Sequence, residues 1–108
     1  MKTISEHEFE EQVLRSPFLV LLSVGTISMA TSFLIQERLD QLSLRYPEQV
    51  RVFHLDAAHA QTLIQHYGIN RLPAILVFRN RELIDHWQES LPLAILEQKT
   101  LELLNSPK

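Results

Sequence analysis

Tyr67-Gly68-Ile69-Asn70-Arg71-Leu72-Pro73-Ala74-Ile75-Leu76-Val77-Phe78-Arg79-Asn80-Arg81-Glu82 is the stretch that decides how this chain folds. Ala74 to Phe78 is an unbroken apolar run of strand length, suited to burial on both faces of a sheet. Pro73 precedes it directly. Proline has no amide to give to a strand ladder, so it belongs at a strand's first position or in a special turn. A cis Leu72–Pro73 bond would fix a sharp entry and leave a backbone edge facing outward. Upstream, Gly68 suits the left-handed residue that closes a helix, because it lacks a Cβ. Downstream, Asn80-Arg81 reads as a tight turn feeding a second strand, Glu82 to Trp87.

Working outward, Ala57 to Tyr67 reads as a helix with Leu63 and Ile64 inward, and Val50 to Leu55 as a strand. A long helix is predicted from Thr31 or Ser32 to Arg45 or Tyr46, where Pro47 stops it. Its expected apolar contacts are Phe33, Leu34, Leu39, Leu42 and Leu44. Phe18 to Val24 is a second continuous apolar strand, followed by a loop from Gly25 to about Ala30. Ser5 and Glu8 form a capping box for a short first helix reaching about Arg15. At the other end, Ser90 is placed to cap a last helix with Pro92 in its first turn. Leu93, Leu96, Leu101, Leu103 and Leu104 give that helix an apolar side. Strands alternating with helices, then a hairpin, predict one α/β domain over residues 1–108. Its expected form is a mixed sheet of about four to five strands with helices on both faces.

Composition narrows the chemistry. The 108 residues are 45% apolar and 21% charged, with a formal charge of -3, which describes an ordinary soluble domain. No basic cluster is visible, so nucleic acid is not the expected partner. Residues 16–36 carry no charge, but serines, threonines, Pro17 and Gly25 interrupt them. The run therefore reads as a strand and a polar loop, short of the about 20 apolar residues of a membrane span. With the acidic segment Met1 to Arg15 ahead of it and no cleavable signal, the expected location is the cytoplasm. Cysteine is absent, which removes disulfides, thiolate catalysis and Cys-based zinc sites. His59 and His66, seven apart, would sit about 10 Å apart along a helix, too far for one ion. No metal or cofactor is expected.

From about Phe18 to Glu82, and more loosely to Leu104, the sequence resembles the thioredoxin family. Tyr67 to Phe78 is similar to that family's helix end, cis-proline loop and following strand. Phe53-His54-Leu55-Asp56 resembles its third strand and Leu39-Asp40-Gln41-Leu42 the matching helix, while Arg81 replaces the usual glycine of the hairpin turn. The resemblance implies the thioredoxin-like fold. In that register the family's Cys-x-x-Cys falls on Met29-Ala30-Thr31-Ser32, its two tryptophans on Ser28 and Gly25, and its buried acid on Ser23. Disulfide exchange needs an attacking thiolate and a second sulfur, and a hydroxyl supplies neither. Dithiol oxidoreductase activity is excluded, and the chain is not expected to be an enzyme.

What the resemblance leaves is a binding module. An extended peptide in this fold lies against the loop before the cis-proline by strand addition, which needs an exposed edge and apolar pockets rather than cysteines. Candidate contacts are Ile27, Met29, Leu72, Pro73 and Leu91, with Glu89 standing where the family tends to keep a glycine beside the groove. The partner would be a protein or peptide, as for an adaptor, chaperone-like or assembly factor. Against this, Met29 and Ile27 also read as residues tucked over the core. A homodimer through the sheet edge near Trp87 is a second reading, with Trp87 alternatively packed under the last helix. A third is a non-thiol enzyme with an anion site at the Thr31/Ser32 helix N-terminus, although hydroxyls there are ordinary caps.

Overall fold

In the computed structural model, residues 1–26, 30–87 and 91–105 are described, with backbone alone at 30–32. Five strands form one mixed sheet: β1 (Lys2–Ile4), β2 (Leu19–Gly25), β3 (Val50–Asp56), β4 (Ala74–Arg79) and β5 (Glu82–Trp87), in the order β1-β3-β2-β4-β5. β1, β3 and β2 run parallel, and β4 and β5 complete the sheet antiparallel. The edge strand β1 has no counterpart in the sequence reading. Its three residues, Lys2-Thr3-Ile4, are too few to show alternation, and only Ile4 is buried.

Strand alternation divides the core. Val20, Leu22 and Val24 point to one face, where they pack with Phe9, Val13, Phe53, Leu55 and Phe78. Leu19 and Leu21 point to the other, where they meet Ile35, Leu39 and Leu42 of α2 (Ala30–Arg45) and Leu96 of α4 (Leu93–Leu104). β2 is buried along its whole length, as a strand sandwiched between helical layers must be. The first face is covered by α1 (Glu6–Phe9), which widens into a π turn at Glu10–Leu14, and by α3 (Gln61–His66) after a 3₁₀ turn at Ala57–His59. At the start of α1 the Ser5 amide donates to the Glu8 carboxylate at 3.1 Å, as the capping box predicts.

Two readings of the helices change. On α2 the buried positions are Ile35, Leu39 and Leu42, spaced i, i+4, i+7, whereas Phe33, Leu34 and Leu44 are exposed. Phe33 and Ile35 are two residues apart, about 200° around the helix, so they cannot share a face. Pro92 stands at the N-cap position of α4 without a side-chain cap, and Ser90, the expected cap, lies outside the described residues. Trp87 is buried at 6% exposure among the α2 and α4 side chains, and its ring nitrogen donates to the Asp85 carboxylate at 3.0 Å. The side chain is packed into the core under the last helix, one of its two sequence readings.

Candidate functional site

Register fixes the geometry of the site. Val24 on β2 pairs with Ala74 on β4, so the chain entering β4 at Pro73 runs beside the chain leaving β2 at Gly25. The Leu72–Pro73 peptide bond is cis. Its loop is anchored upstream by a helix stop. Gly68 takes φ 66°, its amide donates to the Gln65 carbonyl at 3.2 Å, and the Ile69 amide reaches the Ile64 carbonyl at 3.0 Å. This is the paired-bond ending that a left-handed residue permits. Tyr67 holds the loop to the sheet through ring contacts with Phe9 at 6.0 Å and Phe78 at 5.4 Å. Burial pushes its phenol pKa up.

The six candidate contact residues divide unevenly. Ile27, Met29 and Glu89 lie outside the described residues. Leu72 and Pro73 are half-buried, and Leu72 packs on the core facing α1 and α3. Leu91 is also half-buried but packs on the opposite core, and its carbonyl accepts from Arg38 of α2 at 2.8 Å. Leu72 and Leu91 thus serve opposite faces of the sheet. Thr31 and Ser32 lie within the first turn of α2, which starts at Ala30, and nothing is described of their side chains.

Phe33 and Leu34, expected among the apolar contacts of α2, lie at the surface. They are 60% and 47% exposed, immediately after Met29-Ala30-Thr31-Ser32, where the resemblance places the family's Cys-x-x-Cys. Adjacent large apolar side chains held in water at one helix end are not explained by packing. The signal that would have found them was Ile35, whose spacing to Leu39 and Leu42 already defines the inward face.

Beneath this end of α2 lies a polar pair that the sequence could not bring together. Ser23 and His54 are register partners on adjacent parallel strands. The His54 Nδ1 stands 3.2 Å from the Ser23 Oγ, with the residues 7% and 0% exposed. Burial lowers the imidazole pKa, partly opposed by Asp56, so the neutral form is favoured. A buried serine and histidine satisfying each other is a structural arrangement. Among the described residues no group of three or more His, Asp or Glu is arranged to hold a metal ion. No helix among them is long and apolar enough to cross a membrane.

A cis-proline loop beside the outgoing end of a central strand, in a sheet of order β1-β3-β2-β4-β5, is the frame on which the comparisons bear. The family model described as Thioredoxin matches residues 1–102. The chain belongs to the thioredoxin family. Similar relatives include Thioredoxin 1 of Synechococcus elongatus, 20% identical over 93 residues, which are 86% of this chain and 87% of that protein. Thioredoxin of Synechocystis sp. is 25% identical over 99 residues, 92% of each chain. Among thioredoxins this chain lacks the family's chemistry. With no cysteine in 108 residues it has no thiolate for disulfide exchange.

Proposed function

We propose that this chain is a redox-silent thioredoxin-fold binding module that takes an apolar, extended segment of a partner protein through the Pro73 loop and the exposed first turns of α2. The observation that carries the reading is the exposure of Phe33 and Leu34, at 60% and 47%, on the first turns of α2. Two further features support it. Leu72 offers a half-buried apolar contact beside Pro73. The preceding loop contributes Ile27 and Met29 by sequence, and methionine adapts its shape to varied partners. Neither strand addition nor apolar contact requires the missing cysteines. The role is that of an adaptor, a chaperone-like factor or an assembly factor, without catalysis.

The test is a selection of displayed peptides on the wild-type chain, counter-selected on a Phe33→Glu, Leu34→Gln variant. Both positions are exposed, so the variant is expected to keep its fold, checked by amide spectra. Selected peptides should lose at least tenfold in affinity on the variant and should shift the amides of Phe33, Leu34, Leu72 and Ala74 in the wild type. Peptides that bind both proteins equally, or that shift only amides remote from this end of the sheet, would overturn the reading.

A further inference from the structure

Four arginines gather at the end of the sheet opposite the Pro73 loop, and they are not equivalent. Arg51 lies over the Phe18 ring, 3.6 Å from its centroid, and donates to the carbonyls of Pro47 and Val50. Arg79 donates to the Leu103 carbonyl at 2.6 Å, near the end of α4. Those two guanidiniums hold the fold together. The other two, Arg15 and Arg81, line a cleft of about 640 Å³ with Leu14, Ser16, Pro17 and Asn80. No carboxylate is among its lining residues.

Arg81 is the unusual member. Asn80 and Arg81 form the β4–β5 turn at φ 51° and 70°, a left-handed pair in which the second position favours glycine. An arginine there strains the backbone. Its side chain makes no hydrogen bond or ion pair among the described residues. A strained backbone position held by a residue without a polar partner is a reason to look for a ligand. Among the described residues Arg15 pairs with Glu10, at 2.9 Å, and both side chains are more than half exposed. Such a surface pair is readily exchanged for a better acceptor. The Ser16 hydroxyl accepts from the Phe18 amide at 3.2 Å, which leaves its own proton to donate.

We infer that this cleft binds a small phosphoryl-bearing molecule, with Arg15 and Arg81 as its guanidinium forks. Two guanidiniums, a hydroxyl and the Asn80 amide offer more donors than the two oxygens of a carboxylate can use. A phosphoryl group has three acceptor oxygens and up to two charges, and arginine forks match its geometry. The cleft is shallow and open to solvent, with room for an organic phosphate or a diphosphate as well as a bare ion. The site stands apart from the proposed protein-binding face, and either can fail without the other.

The test is an amide-resolved titration of the whole chain with inorganic pyrophosphate, at ionic strength held constant with sodium chloride. Saturable shifts are expected at Arg15, Ser16, Asn80 and Arg81. Arg81→Gly should weaken binding at least tenfold while raising Tm, because glycine relieves the left-handed position; loss of binding in that variant therefore cannot come from unfolding. Arg15→Gln should weaken it comparably. Arg45→Gln, which removes a guanidinium paired with Glu97 on the helical layer, should change the Kd less than twofold. Shifts that do not saturate, binding that survives Arg81→Gly, or equal loss in Arg45→Gln would each overturn the inference in favour of diffuse charge.

Discussion

Truncating Ile35 and Phe33 to alanine tests which side of α2 the core uses. Ile35 is fully buried among Leu39, Leu42, Leu21 and Val77. Ile35→Ala removes three carbons, about 2.4 kcal/mol at ~0.8 kcal/mol per buried methylene. The cavity left behind adds to this, giving an expected loss of about 3 kcal/mol, within the range of buried isoleucine truncations. Phe33 keeps 60% of its surface in water. Its truncation forfeits partial contacts and gains the better helix propensity of alanine, so the expected cost is below about 1 kcal/mol. At roughly 4 °C per kcal/mol for a domain of this size, the two variants should melt about 12 °C and less than about 4 °C below wild type. Urea unfolding with an unchanged m-value confirms that the comparison is one of native stability. Equal losses in the two variants would refute the assigned face of α2, and with it the exposure of Phe33 on which the binding proposal rests.

Gly68→Ala isolates backbone strain, because a Cβ built there meets nothing within 4 Å while φ is 66°. The expected cost is about 1 kcal/mol, and a loss several times larger in urea unfolding would show that the residue does more than close a helix. His54 predicts a pH dependence. Its folded pKa lies below the ordinary value of 6.5, mainly through burial, so the unfolded chain binds the proton more readily. The stability from neutral His54 is complete above about pH 6.5, falls as the pH drops through that value, and levels off below the folded pKa. Tm measured between pH 7.5 and 5.5 should fall less in His54→Gln, which keeps a donor for Ser23; an unchanged slope would assign the effect elsewhere.

Much of the frame was legible because it rests on local rules. The Tyr67 to Glu82 stretch specified a helix stop, a proline at a strand's entry and a two-residue hairpin, and each feature follows from backbone sterics at one or two residues. What was missed depends on partners distant in sequence. β1 exists because Lys2, Thr3 and Ile4 pair with Phe53, His54 and Leu55, and nothing in three residues announces that pairing. The Ser23–His54 contact joins residues 31 apart. The face of α2 is legible in the spacing of Ile35, Leu39 and Leu42; the five apolar residues expected to make its contacts do not share one side, and Phe33, Leu34 and Leu44 are exposed. Of the candidate site, Pro73 and Leu72 followed from the family resemblance. The exposure of Phe33 and Leu34 needed the helix to be seen against the sheet.

The buried pair Ser23–His54 and the exposed pair Phe33–Leu34 make opposite predictions. Ser23 occupies the position at which the resemblance places a buried acid, and the sheet register brings His54 beside it. A lone buried hydroxyl would lack a partner, at a cost of about 1–3 kcal/mol, and the imidazole supplies one while staying neutral. The polar position under the start of α2 is therefore kept, but as an internally satisfied contact between residues 0% and 7% exposed. A proton-transfer role has no thiol to serve. Among the described side chains at that end of α2, Phe33 and Leu34 are the large apolar ones that reach solvent. On the proposed reading, interior substitutions such as His54→Gln should move stability and its pH profile while leaving peptide affinity unchanged. Phe33→Glu with Leu34→Gln should do the reverse. A variant of the interior pair that keeps its fold yet loses peptide would show that the two layers are still coupled, and that Ser23 and His54 act through the surface above them.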